Sequence, residues 1–165
     1  MKRTDPPHPD KFKKPSPELT HFIESMGRYF ESYGIPRIGG RILGVLLVAH
    51  EPLSAEEIAS ILKVSRASLS TNFRLLLASA MAEKVTFPGD RTTYFAFPAT
   101  AWEKAMTVEL EGTAALQRLA EQGLRALPSG DPARVRLANL IEWSGFIHDT
   151  YERALSKWRA AAAAQ

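Results

Sequence analysis

The sequence predicts a mainly α, α+β fold: a series of helices that carries one small β-hairpin. Three observations support this class. Apolar residues recur at helical spacing over most of the 165 residues, and side chains suited to helix N-caps precede several of these runs. One segment, "EKVTFPGDRTTYFAF", instead alternates as strands do around a turn. The length suits one domain, or one domain with a helical extension.

Composition narrows the class of protein. Hydrophobic residues make up 45% and charged residues 24%, as in soluble globular proteins. There is no cysteine, which excludes disulfides and thiolate metal sites. No apolar run reaches the roughly 18 residues that cross a bilayer, and "MKRTDPPHPDKFKKPSP" lacks the hydrophobic stretch of a signal peptide. We therefore expect a cytoplasmic protein without a membrane partner.

The first helix follows a basic tail. Residues 1–15 contain four prolines and five Lys or Arg residues, cannot bury a core, and are predicted to be disordered. Ser16 is predicted to cap the first helix, with Pro17 at its first position. Gly34, shortly before a proline, is predicted to end it.

Two short capped helices come after a central apolar one. The second helix is predicted from about Gly40 to His50 and is apolar nearly all round, as at the centre of a small domain. Ser54 begins the third, and Glu57 completes its capping box. Ser65 caps the fourth, which runs to about Ala80. Its inward stripe is Leu69, Phe73, Leu76, Leu77 and Ala80. Two short helices joined by a short turn predict a helix-turn-helix.

The hairpin completes a winged helix-turn-helix domain over residues 16–98. "EKVTF" and "TTYFAF" are β-rich, and "PGDR" between them has turn chemistry. This places Arg91 at the tip of the wing. Asp90 is predicted to form the turn or to orient Arg91.

Residues 99–165 are predicted to form a helical dimerisation region together with the first helix. One helix runs from about Ala99 to Leu127, "PSGDP" breaks it, and Asp131 caps a final helix. The final helix carries a coiled-coil-like seam of residues spaced three and four apart: Leu137, Leu140, Ser144, Ile147, Tyr151, Ala154 and Trp158. Because one helix cannot bury such a stripe alone, we expect a homodimer.

The outward face of the fourth helix is the predicted DNA-binding surface. It carries short side chains and two arginines: Arg66, Ala67, Ser68, Ser70, Thr71 and Arg74. A solvated face is the alternative, but such faces are rich in Glu and Lys, and residues 65–82 contain neither Glu, Asp nor Lys. Short side chains let a helix approach the major groove, where Arg reaches guanine. Arg91 is predicted to enter a minor groove, and Lys63 and Lys84 to contact phosphates.

The sequence contains few residues in patterns typical of a catalytic or metal-binding site. The four histidines do not show a zinc-protease spacing. His148 and Glu152 are one helical turn apart, which suits half a metal site or an ordinary solvated contact. We predict no enzyme activity, no metal and no cofactor. The aromatic residues behind the wing, such as Trp102 and Trp143, fit core or dimer packing, or a pocket for a small-molecule effector.

The segments "GRYFESYGIPRIGGRILGVLLV" and "LSAEEIASILKVSRASLS" resemble the GbsR-like branch of the MarR winged-helix transcription regulators. The resemblance covers residues 17–100 well, and residues 101–165 mainly as a helical dimerisation region. It implies a homodimeric DNA-binding regulator whose recognition helix uses Arg66, Ala67, Ser68, Ser70 and Thr71 and whose wing uses Arg91. GbsR is similar to regulators that sense choline, but no ligand is fixed by this sequence.

The sequence therefore predicts a sequence-specific transcription regulator, and a repressor in the first instance. A homodimer would read a near-palindromic operator in double-stranded DNA, with recognition helices about 34 Å apart. The alternative is a winged helix that binds a protein through the same surface. DNA is favoured because the exposed face is basic and small rather than apolar.

Overall fold

The computed structural model describes residues 15–163, in which six helices accompany a three-stranded antiparallel sheet. The helices are α1 Pro17–Glu31, α2 Arg37–Val48, α3 Ala55–Leu62, α4 Arg66–Ala78, α5 Ala101–Ala126 and α6 Ala133–Ala163. The strands are β1 Leu53–Ser54, β2 Glu83–Val85 and β3 Tyr94–Ala96. The predicted fold class is confirmed. Most of the predicted basic tail, residues 1–14, lies outside the described residues.

The chain divides into two compact units between Ala101 and Trp102. The first unit contains α1 to α4 and the sheet, and the second contains nearly all of α5 and α6. None of the helices in the described part of the chain is both long and apolar enough to cross a bilayer.

Helices α1 and α2 pack closely because glycines line their contact. The Ser16 hydroxyl accepts from the Leu19 amide at 3.2 Å, which gives α1 the predicted N-cap. Helix α2 begins at Arg37, three residues before the predicted start at Gly40, and Pro36 is its N-cap residue. A Cβ on Gly40 would lie 2.7 Å from the Met26 carbonyl oxygen, so only glycine fits there.

The helix-turn-helix forms as predicted. The Glu57 carboxylate accepts from the amide and the hydroxyl of Ser54, both at 2.7 Å, which completes the capping box of α3. Lys63 ends α3 in the left-handed region, at φ 53°. The Ser65 hydroxyl accepts from the Ser68 amide at the start of α4. The inward residues of α4 that are buried, Leu69, Phe73 and Leu76, join Ile42, Leu43 and Ile58 in one core.

The sheet has the order β1-β3-β2 and joins the wing to the helix-turn-helix. Leu53 pairs with Phe95 and Ser54 with Tyr94 in β1–β3, while Lys84 pairs with Phe95 in β2–β3. The Phe95 ring stacks on Phe73 of α4 with centroids 3.8 Å apart. The hairpin is confirmed, whereas β1 was not predicted.

In the second unit, α5 and α6 run antiparallel. Arg159 Nε donates to Glu103 at 2.8 Å, and a Cβ on Gly123 would lie 3.1 Å from Leu137. Ser144, the polar residue of the predicted seam, is completely buried and donates to the Leu140 carbonyl at 2.7 Å. The beginning of the seam therefore packs against α5 of the same chain. The seam's last residue, Trp158, is exposed. The other large apolar residues that are exposed in this unit are Trp102, Val108 and Leu119 on α5, and Val135, Trp143 and Phe146 on α6.

Candidate DNA-binding surface

Helix α4 presents most of the predicted surface residues to solvent. Arg66, Ala67, Ser70, Thr71 and Arg74 are exposed. Ser68 is half-buried. Its amide donates to the Ser65 hydroxyl, and its carbonyl accepts from the buried Asn72 side chain at 2.8 Å. The amides of Arg66 and Ala67 lie in the first turn of α4, where the helix dipole favours an anion.

A groove brings four of the predicted residues together. Arg66, Ser70 and Arg74 from α4 and Lys84 from β2 line it. Its apolar lining comes from Leu69, Phe73, Leu77 and Phe95, beside Ala55 at the start of α3. None of these lining residues is acidic, so the groove is positively charged. It lies between the recognition helix and the base of the wing.

Lys63 lies apart from this group. It is exposed at the turn between α3 and α4, and it lines a different groove with residues of α1 and α2, among them Thr20, Glu24 and Arg41. Arg41 is held there by Glu24, at 2.7 Å, and by the Leu62 carbonyl, at 2.9 Å.

The wing tip holds Arg91 exposed on an ordered turn. Gly89 has φ +83°, which favours glycine, and the Asp90 amide donates to the Phe87 carbonyl at 3.1 Å. One Asp90 oxygen accepts from the Thr92 amide and the other from the Tyr94 hydroxyl, both at 2.8 Å. The Thr92 amide, followed by the Tyr94 hydroxyl, lowers the pKa of Asp90. Asp90 is therefore the turn former of the two predicted alternatives.

Two further residues belong to this surface and were not predicted. The Tyr94 ring is buried and packs edge-on against Phe87, at 5.2 Å, and its hydrogen bond to Asp90 raises the pKa of its hydroxyl. Glu56 of α3 forms an ion pair with Arg66. A Glu ten residues before an Arg carries no local signal, since the turn between the helices brings them together.

His148 makes a contact within the second unit. Its Nδ1 lies 3.2 Å from the Thr113 hydroxyl, which itself donates to the Leu110 carbonyl at 2.9 Å. Between residues 15 and 163, no group of three or more His, Asp or Glu side chains is placed so that it could coordinate a metal ion.

Known proteins match both units. A family model for MmpR5-like MarR family transcriptional regulators matches residues 100–161. The transcriptional regulator MmpR5 of Mycobacterium tuberculosis is 37% identical over 144 residues, which cover 86% of this chain and 87% of MmpR5. The repressor OpcR of Bacillus subtilis is 28% identical over 71 residues, 43% of this chain and 38% of OpcR. The crystal structure of a transcriptional regulator has a TM-score of 0.77 and 36% identity, over 87% of this chain and 99% of that one.

Proposed function

Since the chain belongs to the MmpR5-like MarR family of helix-turn-helix transcriptional regulators, we propose that it represses transcription as a homodimer bound to a near-palindromic operator. The observation that carries the proposal is the exposed face of α4. It combines small side chains with Arg66 and Arg74 beside the wing, and residues 65–82 contain no acidic side chain.

The exposed cations have three kinds of proposed partner on DNA: base edges, phosphates and a minor groove. Arg66 and Arg74 extend from a helix of suitable size for the major groove, where Arg binds guanine O6 and N7. Ala67, Ser68, Ser70 and Thr71 leave space for the backbone to approach the bases. Lys84 and Lys63 reach phosphates, and Arg91 enters an adjacent minor groove.

Exposed apolar side chains support the homodimer. Leu19, Phe22, Tyr29 and Tyr33 lie on or just after α1, and Val135 and Phe146 on α6 are both 64% exposed. Several large apolar side chains grouped on one helix surface mark a site of association. A two-fold interface through these helices would bury them and set the spacing of the two α4 helices.

The proposal also covers the branch of the family, the domain boundaries, the cellular location and an effector site. The closer link to the GbsR-like branch is supported by the quoted segments of α1 to α4. We assign residues 16–98 to DNA binding and 99–165 to dimerisation, in a cytoplasmic protein without catalytic activity. A small-molecule effector that alters operator binding is supported only by the aromatic residues of the second unit, such as the exposed Trp143 and Trp158.

Selection from a randomised duplex library, followed by fluorescence polarisation at several salt concentrations, tests the function. We expect a near-palindromic consensus and an affinity that falls steeply with salt, because phosphate contacts release counterions. The promoter of the chain's own operon is the first genomic fragment to test. Absence of binding to any DNA at low salt would contradict the proposal and favour a protein-binding winged helix.

A further inference from the structure

Arg66 differs from the other cations of the DNA-binding surface because it already has a partner. Its guanidinium forms an ion pair with Glu56 of α3, and both side chains are well exposed, at 75% and 69%. Arg74, Lys84 and Arg91 make no ion pair or side-chain hydrogen bond with any residue in the range 15–163. A carboxylate therefore lies beside the first residue of the recognition helix, where phosphate is otherwise favoured.

We infer that Glu56 is a specificity-determining residue, which restrains Arg66 from contacting phosphates on non-operator DNA. The inference rests on the proposed function, since it concerns how this surface selects DNA. On random DNA the base beside Arg66 is usually not guanine, so Arg66 turns to a phosphate. The Glu56 carboxylate competes with that phosphate for the guanidinium and repels it. On the operator, a guanine offers two acceptors to one guanidinium, and such bidentate bonds are stronger than a single contact.

The geometry allows Arg66 to contact a base without losing the ion pair. Glu56 holds only Nη2 of Arg66, and Nη2 has a second N–H group, so Nη1 and Nη2 can bind guanine together while the carboxylate stays in place. The operator contact therefore does not pay for breaking the pair. Glu57, the neighbour of Glu56, is committed to the capping box of α3. Glu56 is therefore the acidic residue of the first turn of α3 whose removal leaves that cap intact.

The test compares Glu56→Gln with the parent on the selected operator and on a random duplex, over a range of salt concentrations. We expect the variant to bind random DNA about threefold more tightly, with a log–log salt slope steeper by about 0.9, because Arg66 gains one phosphate contact. Operator affinity is expected to stay near that of the parent, because the contact with guanine leaves the ion pair in place, so the ratio of specific to random affinity falls about threefold. Thermal unfolding by circular dichroism checks that the fold is retained.

Two controls separate the ion pair from general charge. Glu111→Gln removes the same charge from an exposed position on α5 and is expected to leave the salt slope unchanged. In an Arg66→Ala background, Glu56→Gln is also expected to leave the slope unchanged. An equal effect of both Gln variants, or an effect that persists without Arg66, overturns the inference while leaving the proposed function intact. A parent that binds no DNA overturns both.

Discussion

Arg74 and Lys84 line the same groove, but Arg74 on α4 is expected to contact a base and Lys84 on β2 a phosphate. Arg74→Ala is predicted to cost about 1–3 kcal/mol on the operator and to relax the preference at one base pair, because a guanine contact is lost. Lys84→Ala is predicted to weaken all sequences alike and to reduce the salt slope by about 1. Library selection with each variant distinguishes the two effects.

Arg136→Ala is the matched control for both variants, because it removes an exposed cation from α6 in the other unit. It is expected to leave the consensus unchanged. If Arg74→Ala binds the operator like the parent, the assignment of the outward face of α4 is wrong.

Tyr94 positions the wing tip through a single hydroxyl. Tyr94→Phe removes its hydrogen bond to Asp90 and keeps the ring that packs on Phe87. We predict about threefold weaker operator binding, because the loop that carries Arg91 loses one of its two side-chain restraints. In an Arg91→Ala background, Tyr94→Phe is expected to cause no further loss of operator affinity. A general folding defect would weaken binding in both backgrounds. Fluorescence polarisation with the four variants of this cycle provides the measurement.

The hydrogen bonds that Asp90 accepts predict how the order of the wing tip depends on pH. The pKa of Asp90 is lowered in the folded chain, so its contribution to an ordered wing is complete above the ordinary value of 3.8 and is lost only as the pH falls through the lower folded value. The protection factor of the Thr92 amide, measured by NMR as its exchange rate relative to an unstructured chain at the same pH, is therefore expected to stay constant between pH 5 and 8. An unprotected Thr92 amide at pH 6 would contradict the proposed restraint.

At the scale of elements, the close packing of α1 on α2 depends on Gly40. Gly40→Ala is predicted to destabilise the chain by about 1–3 kcal/mol, because its methyl group would meet backbone atoms of Met26 and Gly27 rather than a flexible side chain. Gly112→Ala is the matched control: a Cβ there meets no atom within 4 Å, and alanine is favoured in a helix. Urea unfolding is expected to move the midpoints in opposite directions, and equal destabilisation would contradict the packing.

The elements that the sequence predicts well are those with local signals. Caps at Ser54 and Ser65 lie next to apolar residues at helical spacing, so α3 and α4 are found where expected. Strand β1 is missed because its two residues pair with β3 about forty positions later, and because Ser54 also serves as an N-cap. The seam beginning at Leu137 is recognised as apolar, but its spacing does not say which helix covers it. The Arg66–Glu56 pair is missed for the same reason: it depends on a turn in three dimensions.

At the scale of the whole molecule, the net charge of +3 lies in the basic tail. Residues 1–14 carry 5 Lys or Arg against 2 Asp or Glu, whereas residues 15–98 and residues 99–165 each carry 8 of both kinds. The attraction of the winged domain to DNA therefore depends on where its cations lie, on the face that holds Arg66, Arg74 and Lys84, rather than on its net charge. A neutral second part allows two copies to associate without like-charge repulsion.

The proposed homodimer predicts that an exposed apolar residue of α6 is buried between subunits. Phe146 is 64% exposed in the single chain, so Phe146→Asp is expected to leave the packing of α5 on α6 intact. Burying an unpaired carboxylate between two subunits is costly, and the variant should therefore sediment near 18.3 kDa where the parent sediments near twice that mass. Ser156→Asp, at an exposed polar position of the same helix, is the control and should remain dimeric.

Monomers carry one α4 each, so Phe146→Asp should also lose cooperative binding to the two half-sites while retaining weak binding to one. A parent that sediments as a single chain at micromolar concentration contradicts the dimer. A dimeric Phe146→Asp variant would place the interface on other residues, and the exposed aromatic and apolar side chains of α1 are then the next positions to test.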